Sequence, residues 1–304
     1  MIHRIWNGFY RRGWLVLALT TFMWAANVLA GRLAIDQISP MALVCLRWLL
    51  SATLMFVLQR RDMARAAPVL RANWPLLVAG GVLGFTGFNA LFYVGAHHTT
   101  GVNISIIQGT IPIFTMLGAF LIFGTKLRLF QFIGLIITLC GVLLIGAKGD
   151  FSSLANFKFN IGDVYILLAC MFYAAYTLAL RNRPQVAGLT LFAAMAAIAF
   201  LTSIPLFIWE IWSGGFFWPT PTGWLIMLYV AIFPSLISQI WYIRGVDLVG
   251  GSRASLFVNL VPVMGTALSV TVLGEGFALY HGLALALVLG GIYVAEKLGT
   301  RPKI

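Results

Sequence analysis

Ten side chains able to hydrogen-bond or stack lie inside stretches of the chain that are otherwise apolar: Trp24, Asn27, Asn89, Tyr93, Gln108, Tyr173, Tyr176, Gln239, Tyr242 and Asn259. Amides and phenols of this kind orient a small ligand through hydrogen bonds, while the rings stack on its apolar body. The chemistry on offer is non-covalent recognition. Helical spacing makes the set converge: Ser252, Ser255, Asn259 and Pro262 stand at i, i+3, i+7 and i+10, one stripe of a helix, and Ser235, Ser238, Gln239 and Tyr242 form another. Pro112 and Pro262 fall near the middle of apolar runs, where a proline removes a backbone hydrogen bond and bends a helix, so both are candidate hinges. Each feature also has a plainer reading. Serines can bond back to a carbonyl one turn earlier, amides can tie helices together, rings can simply pack, and proline kinks can be static.

Arg47 is the only basic residue well inside an apolar run, where a central charge costs about 2.5–3.5 kcal/mol on insertion scales. It needs a partner or a route to the surface. Its position points toward Glu275 or the nearby polar loops in a structural role, with a bound carboxylate as the alternative. The other acids, Asp36, Asp150, Asp163, Glu210, Asp62, Asp247 and Glu296, all fall at span ends or in loops. With no carboxylate at the midplane, a buried proton-coupling acid is disfavoured; His97 and His98, at the outer end of the third span, are the alternative candidates for proton coupling.

Nothing points to bond-breaking chemistry. The chain has no HExxH pattern, no paired intramembrane aspartates and no serine beside a histidine at depth. Gly250-Gly251-Ser252, the nearest candidate for a nucleophile, has no histidine within an apolar run on its own side. Cys45, Cys140 and Cys170 lie in apolar runs without metal-ligand spacing and read as small buried hydrophobes. No catalytic residue, metal or cofactor is expected.

The elements that must position these residues are membrane helices. The 304 residues are 61% hydrophobic and 9% charged, with a mean hydropathy of +0.96, a composition that belongs in lipid. At about 20 apolar residues per crossing there is room for ten spans and no soluble domain. They read as 13–33, 41–58, 74–96, 100–124, 129–147, 162–181, 187–211, 222–244, 251–274 and 277–296. The first, although preceded by Arg4, Arg11 and Arg12, is too long for a cleaved leader and reads as a retained helix. Of 20 Lys and Arg residues, 16 fall on one side, which places both termini in the cytoplasm by the positive-inside rule. The net charge of +12 is therefore a topology signal and does not imply a nucleic-acid partner. Gln59 to Asn73 reads as a cytoplasmic loop containing a short interfacial helix. Trp209, Trp212, Trp218 and Trp224 read as an aromatic belt.

The spans occur as two copies. At an offset of 150 residues Gly95 meets Gly245, Ser105 meets Ser255, Pro112 meets Pro262, Gly124 meets Gly274 and Gly141 meets Gly291, without a gap. Residues 1–148 and 149–304 are thus expected to be two five-helix repeats. An odd number of crossings inverts the second relative to the first, an arrangement that implies a path opened alternately to the two faces of a membrane. A passive pore and an intramembrane enzyme are the competing readings.

Other markers complete the pattern: Pro40 followed by Leu46-Arg47-Trp48; Pro262, Gly274-Glu275 and Gly290-Gly291 in the second copy; Pro112 and Gly141 in the first, where Thr125 follows Gly124 in place of an acid. On these residues the chain resembles the drug/metabolite transporter superfamily, in its EamA-type ten-helix branch. It is most similar there to bacterial inner-membrane exporters of amino acids, including aromatic ones. The resemblance implies an all-α integral membrane protein of ten helices, working as a monomer in lipid on a small-molecule substrate. It also implies that spans 1, 3, 4, 6, 8 and 9, which carry the polar stripes, wall a central cavity, whereas spans 2, 5, 7 and 10 are nearly all aliphatic and small.

Overall fold

The computed structural model describes residues 12–149 and 160–298. Arg4, Arg11, Arg301, Lys303, Asp150, Lys158 and the polar join at 150–159 lie outside the described residues, as does the side chain of Ser252. Among the described residues ten helices are long and apolar enough to cross a membrane: α1 (Gly13–Leu33), α2 (Pro40–Ala72), α3 (Trp74–Ala96), α4 (Gly101–Phe123), α5 (Leu129–Gly146), α6 (Ile161–Asn182), α7 (Gly188–Trp212), α8 (Pro221–Val249), α9 (Arg253–Thr271) and α10 (Leu279–Glu296). Large apolar side chains face outward along their length, among them Phe56, Leu121, Ile122, Leu201 and Leu225. Such a surface is stable only against lipid, where backbone polar groups must be satisfied within each helix. The protein is an all-α integral membrane protein.

Nine of the spans match the hydropathy reading to within several residues. The exception is α2. The stretch at 59–73 is not a loop with its own interfacial helix but the continuation of α2 to Ala72. Ala64, Ala66, Ala67 and the long Arg side chains favour helix, and Asp62 lies 3.7 Å from Arg65 one turn on.

Helices alternate in direction, so the bundle has a basic end, where α1 starts and α2 stops, and a far end. At the basic end Gly13 packs on Val249 and Gly134 on Gly291; at the far end Gly31 packs on Phe92 and Gly223 on Gln37. α2 packs along α7, and α5 along α10, while α1 contacts α8 and α9, and α6 contacts α3 and α4. In the α5–α10 pair the absence of side chains at Gly134, Gly141 and Gly291 lets the two backbones approach closely.

The irregularities come in pairs. α3 carries a π-helical segment at Gly80–Gly87 and α8 another at Ala231–Ile237, the two ending 150 residues apart. α4 divides into Gly101–Gln108 and Ile111–Phe123, and α9 into Gly251–Val258 and Val261–Thr271. Pro112 and Pro262 each sit in the first turn of the second piece. The bend thus precedes the proline, and an N–H missing from a first turn leaves no intrahelical bond unmade. This corrects the expectation that each proline removes a mid-helix hydrogen bond. Gly124 caps α4 and Gly274 follows the last turn of α9, with φ of 63° and 67°, the left-handed conformation that glycine adopts without a Cβ penalty.

Candidate functional site

The π-helical segments and the helix breaks face one another across the middle of the bundle and leave a cavity of about 110 Å³. Trp24, Asn27, Asn89, Gln108, Tyr173, Gln239, Asn259, Pro112 and Pro262 line it, together with Arg47, Trp48, Phe85 and Phe88. Trp24, Pro112, Tyr173, Gln239 and Asn259 also line a wider cavity of about 1360 Å³, which reaches the basic end through Gln59, Asp62, Arg183, Asp247 and Glu296. Tyr176, Tyr242 and Ser255 line this second space. Nine of the ten candidate binding residues and both candidate hinges therefore line one or both of these adjoining cavities.

Tyr93 is the tenth, and it lies one layer behind. Its side chain is 1% exposed and lines neither cavity. Its hydroxyl donates to Asn27 Oδ1 at 3.1 Å and accepts from Arg47 Nη1 at 2.6 Å. Arg47 Nη1 also lies 2.6 Å from Asn89 Oδ1, and its Nε donates to Ser235 Oγ at 2.5 Å. Ser235 in turn donates to the carbonyl of Val230, five residues back, a register that the π-helical segment provides. Trp24 Nε1 donates to Ser238 Oγ at 2.9 Å, and the Trp24 ring lies 5.2 Å from that of Tyr242. Ser235 and Ser238 thus do more than bond back within their own helix, whereas Ser105 only returns a bond to Gly101.

Arg47 does not reach Glu275, contrary to the sequence expectation. It points to the centre of the bundle, on a helix expected to be all aliphatic. Glu275 instead meets Arg32 at the far end, 3.2 Å away, and accepts the backbone N–H groups of Gly101 and Val102 at 2.9 Å each. Two further knots close that end. Glu210 accepts from Ser39 Oγ at 2.7 Å and from the first N–H groups of α2 at Met41 and Ala42. Asp163 accepts from Thr99 and Asn103. His97 is half-buried nearby; burial, reinforced by His98, holds its imidazole below the usual histidine range. Among the described residues no cluster of His, Cys, Asp and Glu is arranged to hold a metal ion.

A family model for EamA-like transporters matches residues 11–147 and again residues 160–296. The chain belongs to the EamA-like transporter family. Its relatives include the uncharacterized transporter YyaM of Bacillus subtilis, 26% identical over 95% of this chain and 94% of that one. The uncharacterized transporter YetK of the same organism is 27% identical over 94% and 87%. The uncharacterized inner membrane transporter YedA of Escherichia coli is 25% identical over 88% and 85%. A crystal structure with 22% identity matches at a TM-score of 0.65, covering 94% of this chain and 96% of that one, and shows the same fold.

Membership in a transporter family gives this EamA protein's central cavity its context. Sequence reasoning missed Trp48, Phe85 and Phe88 there, and it weighed Arg47 as a receiver of a carboxylate without placing it among the candidate binding residues. Arg47 did carry a signal: a lone charge within an apolar span marks a functional site by default. The aromatic three did not, since Phe and Trp at these spacings equally suit lipid or core.

Proposed function

We propose that this EamA-family protein exports amino acids or related small metabolites across a bacterial inner membrane by alternating access. In this reading it works as a monomer with both termini in the cytoplasm, and its halves are inverted repeats. The observation that carries the reading is the central cavity, closed toward the far end and adjoining the wider cavity that reaches the basic end. Rings of Trp24, Phe88 and Tyr173 beside amides of Asn27, Gln108, Gln239 and Asn259 suit a small amphipathic molecule. Equivalent breaks 150 residues apart in α4 and α9 support a rocking exchange between halves. The excess of Lys and Arg at the basic end supports its cytoplasmic orientation.

The test is efflux of a panel of labelled amino acids from proteoliposomes, with and without a pH gradient. Trp24→Ala and Gln239→Ala should lower flux at least tenfold with membrane expression intact, and Tyr93→Ala should do so by releasing Arg47. Normal flux in all three variants would remove the cavity from the path.

A further inference from the structure

We infer that the central cavity is an anion site, with Arg47 as the group that receives a carboxylate of an amphipathic organic substrate. This rests on the transport reading above and narrows its substrate class to organic carboxylates.

Arg47 is 5% exposed, yet every partner it has is neutral: Ser235, Asn89, Tyr93 and, at 3.5 Å, Asn27. Among the described residues no carboxylate oxygen lies within 4 Å of it; the ion pairs are Arg32 with Glu275 and Arg65 with Asp62. Glu275, Glu210 and Asp163, the far-end acids, are committed to the contacts that hold that end together. A buried guanidinium without a counterion is costly, and the ordinary remedies are a paired acid or a bound anion.

The hydrogen-bond inventory points the same way. Nε and Nη1 of Arg47 are used, and among the described residues Nη2 has no hydrogen-bond acceptor. Two other donors on the same cavity wall, Trp48 Nε1 and Gln108 Nε2, are buried without an acceptor. Unpaired buried donors cost roughly 1–3 kcal/mol each, so the wall calls for a ligand that brings acceptors. A carboxylate brings two oxygens and a charge, and meets a guanidinium in a planar fork. The apolar wall of Trp24, Phe88 and Tyr173 then takes the rest of the molecule. Among the described residues no acid lines this inner cavity to receive an ammonium group. A carboxylate lacking the α-ammonium should therefore bind at least as well as the matching amino acid.

The experiment uses full-length protein in detergent and three ligands sharing one apolar body: 3-phenylpropionate, phenylalanine and 3-phenylpropanamide. Calorimetry should give the carboxylate at least a tenfold lower Kd than the neutral amide, with phenylalanine no tighter than the carboxylate. Arg47→Gln should bring carboxylate and amide to within about twofold of each other, and Arg47→Lys should keep a preference for the anion. Equal binding of carboxylate and amide by the unaltered protein overturns the proposal without reference to any variant, as does binding of none of the three. Flux is measured separately in proteoliposomes: anion-selective binding without flux would overturn the transport reading and leave the anion site standing. Flux of amino acids unaffected by Arg47→Gln would do the reverse.

Discussion

Arg32 Nε lies 3.2 Å from Glu275 Oε1 at the far end of the bundle, joining the end of α1 to the turn between α9 and α10. The same carboxylate caps the start of α4 through Gly101 and Val102, and Arg32 Nη1 donates to the carbonyl of Ala96 at 2.6 Å. One acid thus holds four helices. The residue 150 positions earlier is Thr125, which carries no carboxylate with which to fasten the basic end in the same way. The wide cavity opens at that end.

Glu275→Gln should loosen the far end. Loss of charge at a helix N-terminus lowers stability by about 0.5–2 kcal/mol, visible as a fall in Tm. In a chain cleared of Cys45, Cys140 and Cys170, a single cysteine at Val102, a fully buried position, should react faster with a membrane-impermeant maleimide when Glu275 is Gln. Equal labelling rates would reduce Glu275 to a helix cap.

Pro112 and Pro262 occupy first turns, so alanine there leaves backbone hydrogen bonding intact and stability should change by less than about 1 kcal/mol. What alanine removes is the fixed φ that favours the break before each proline. Flux should fall several-fold in Pro112→Ala and Pro262→Ala while Kd moves less than flux. A loss of binding that matches the loss of flux, or unchanged flux in both, would leave the prolines as static kinks.

Two glycines give opposite expectations. A Cβ at Gly84, in the π-helical segment of α3, would run into the ring of Tyr176, which itself packs 5.4 Å from Phe85. Gly84→Ala should destabilise the protein by about 1–3 kcal/mol through overpacking and displace a cavity ring. At Gly290 in α10 a Cβ would meet nothing within 4 Å. Gly290→Ala should stabilise by about 0.5–1 kcal/mol, the helix-propensity gain alone. Thermal melts of both variants decide the pair.

The ten helices, and the glycines and prolines that recur 150 residues apart, were legible along the chain; the π-helical segments and the breaks before the prolines were not. A span declares itself locally, because a run of about 20 apolar residues has one stable solution in lipid, and its period places Gln239 and Tyr242 on one stripe without knowledge of any neighbour. The extent of α2 was less legible: Arg60, Arg61 and Arg65 mark the edge of the membrane, but helix propensity carries the chain on to Ala72 past that edge.

The direction of Arg47 was decided only by tertiary structure. Local pattern shows that a charge is buried and needs partners; it does not say which of several polar groups on α1, α3 and α8 will be within reach. Asn27, Asn89, Tyr93 and Ser235 come from three separate helices and meet because α2 packs on the π-helical segment of α8 and stacks Trp48 on Phe85 of α3, which brings Arg47 within reach of all four. Glu275, equally unpaired in sequence, went to Arg32 and the start of α4, since those groups are the ones at its depth. Helix existence follows from neighbours along the chain and the solvent, whereas a hydrogen-bonded site depends on angstrom-scale packing between helices that the linear pattern does not encode.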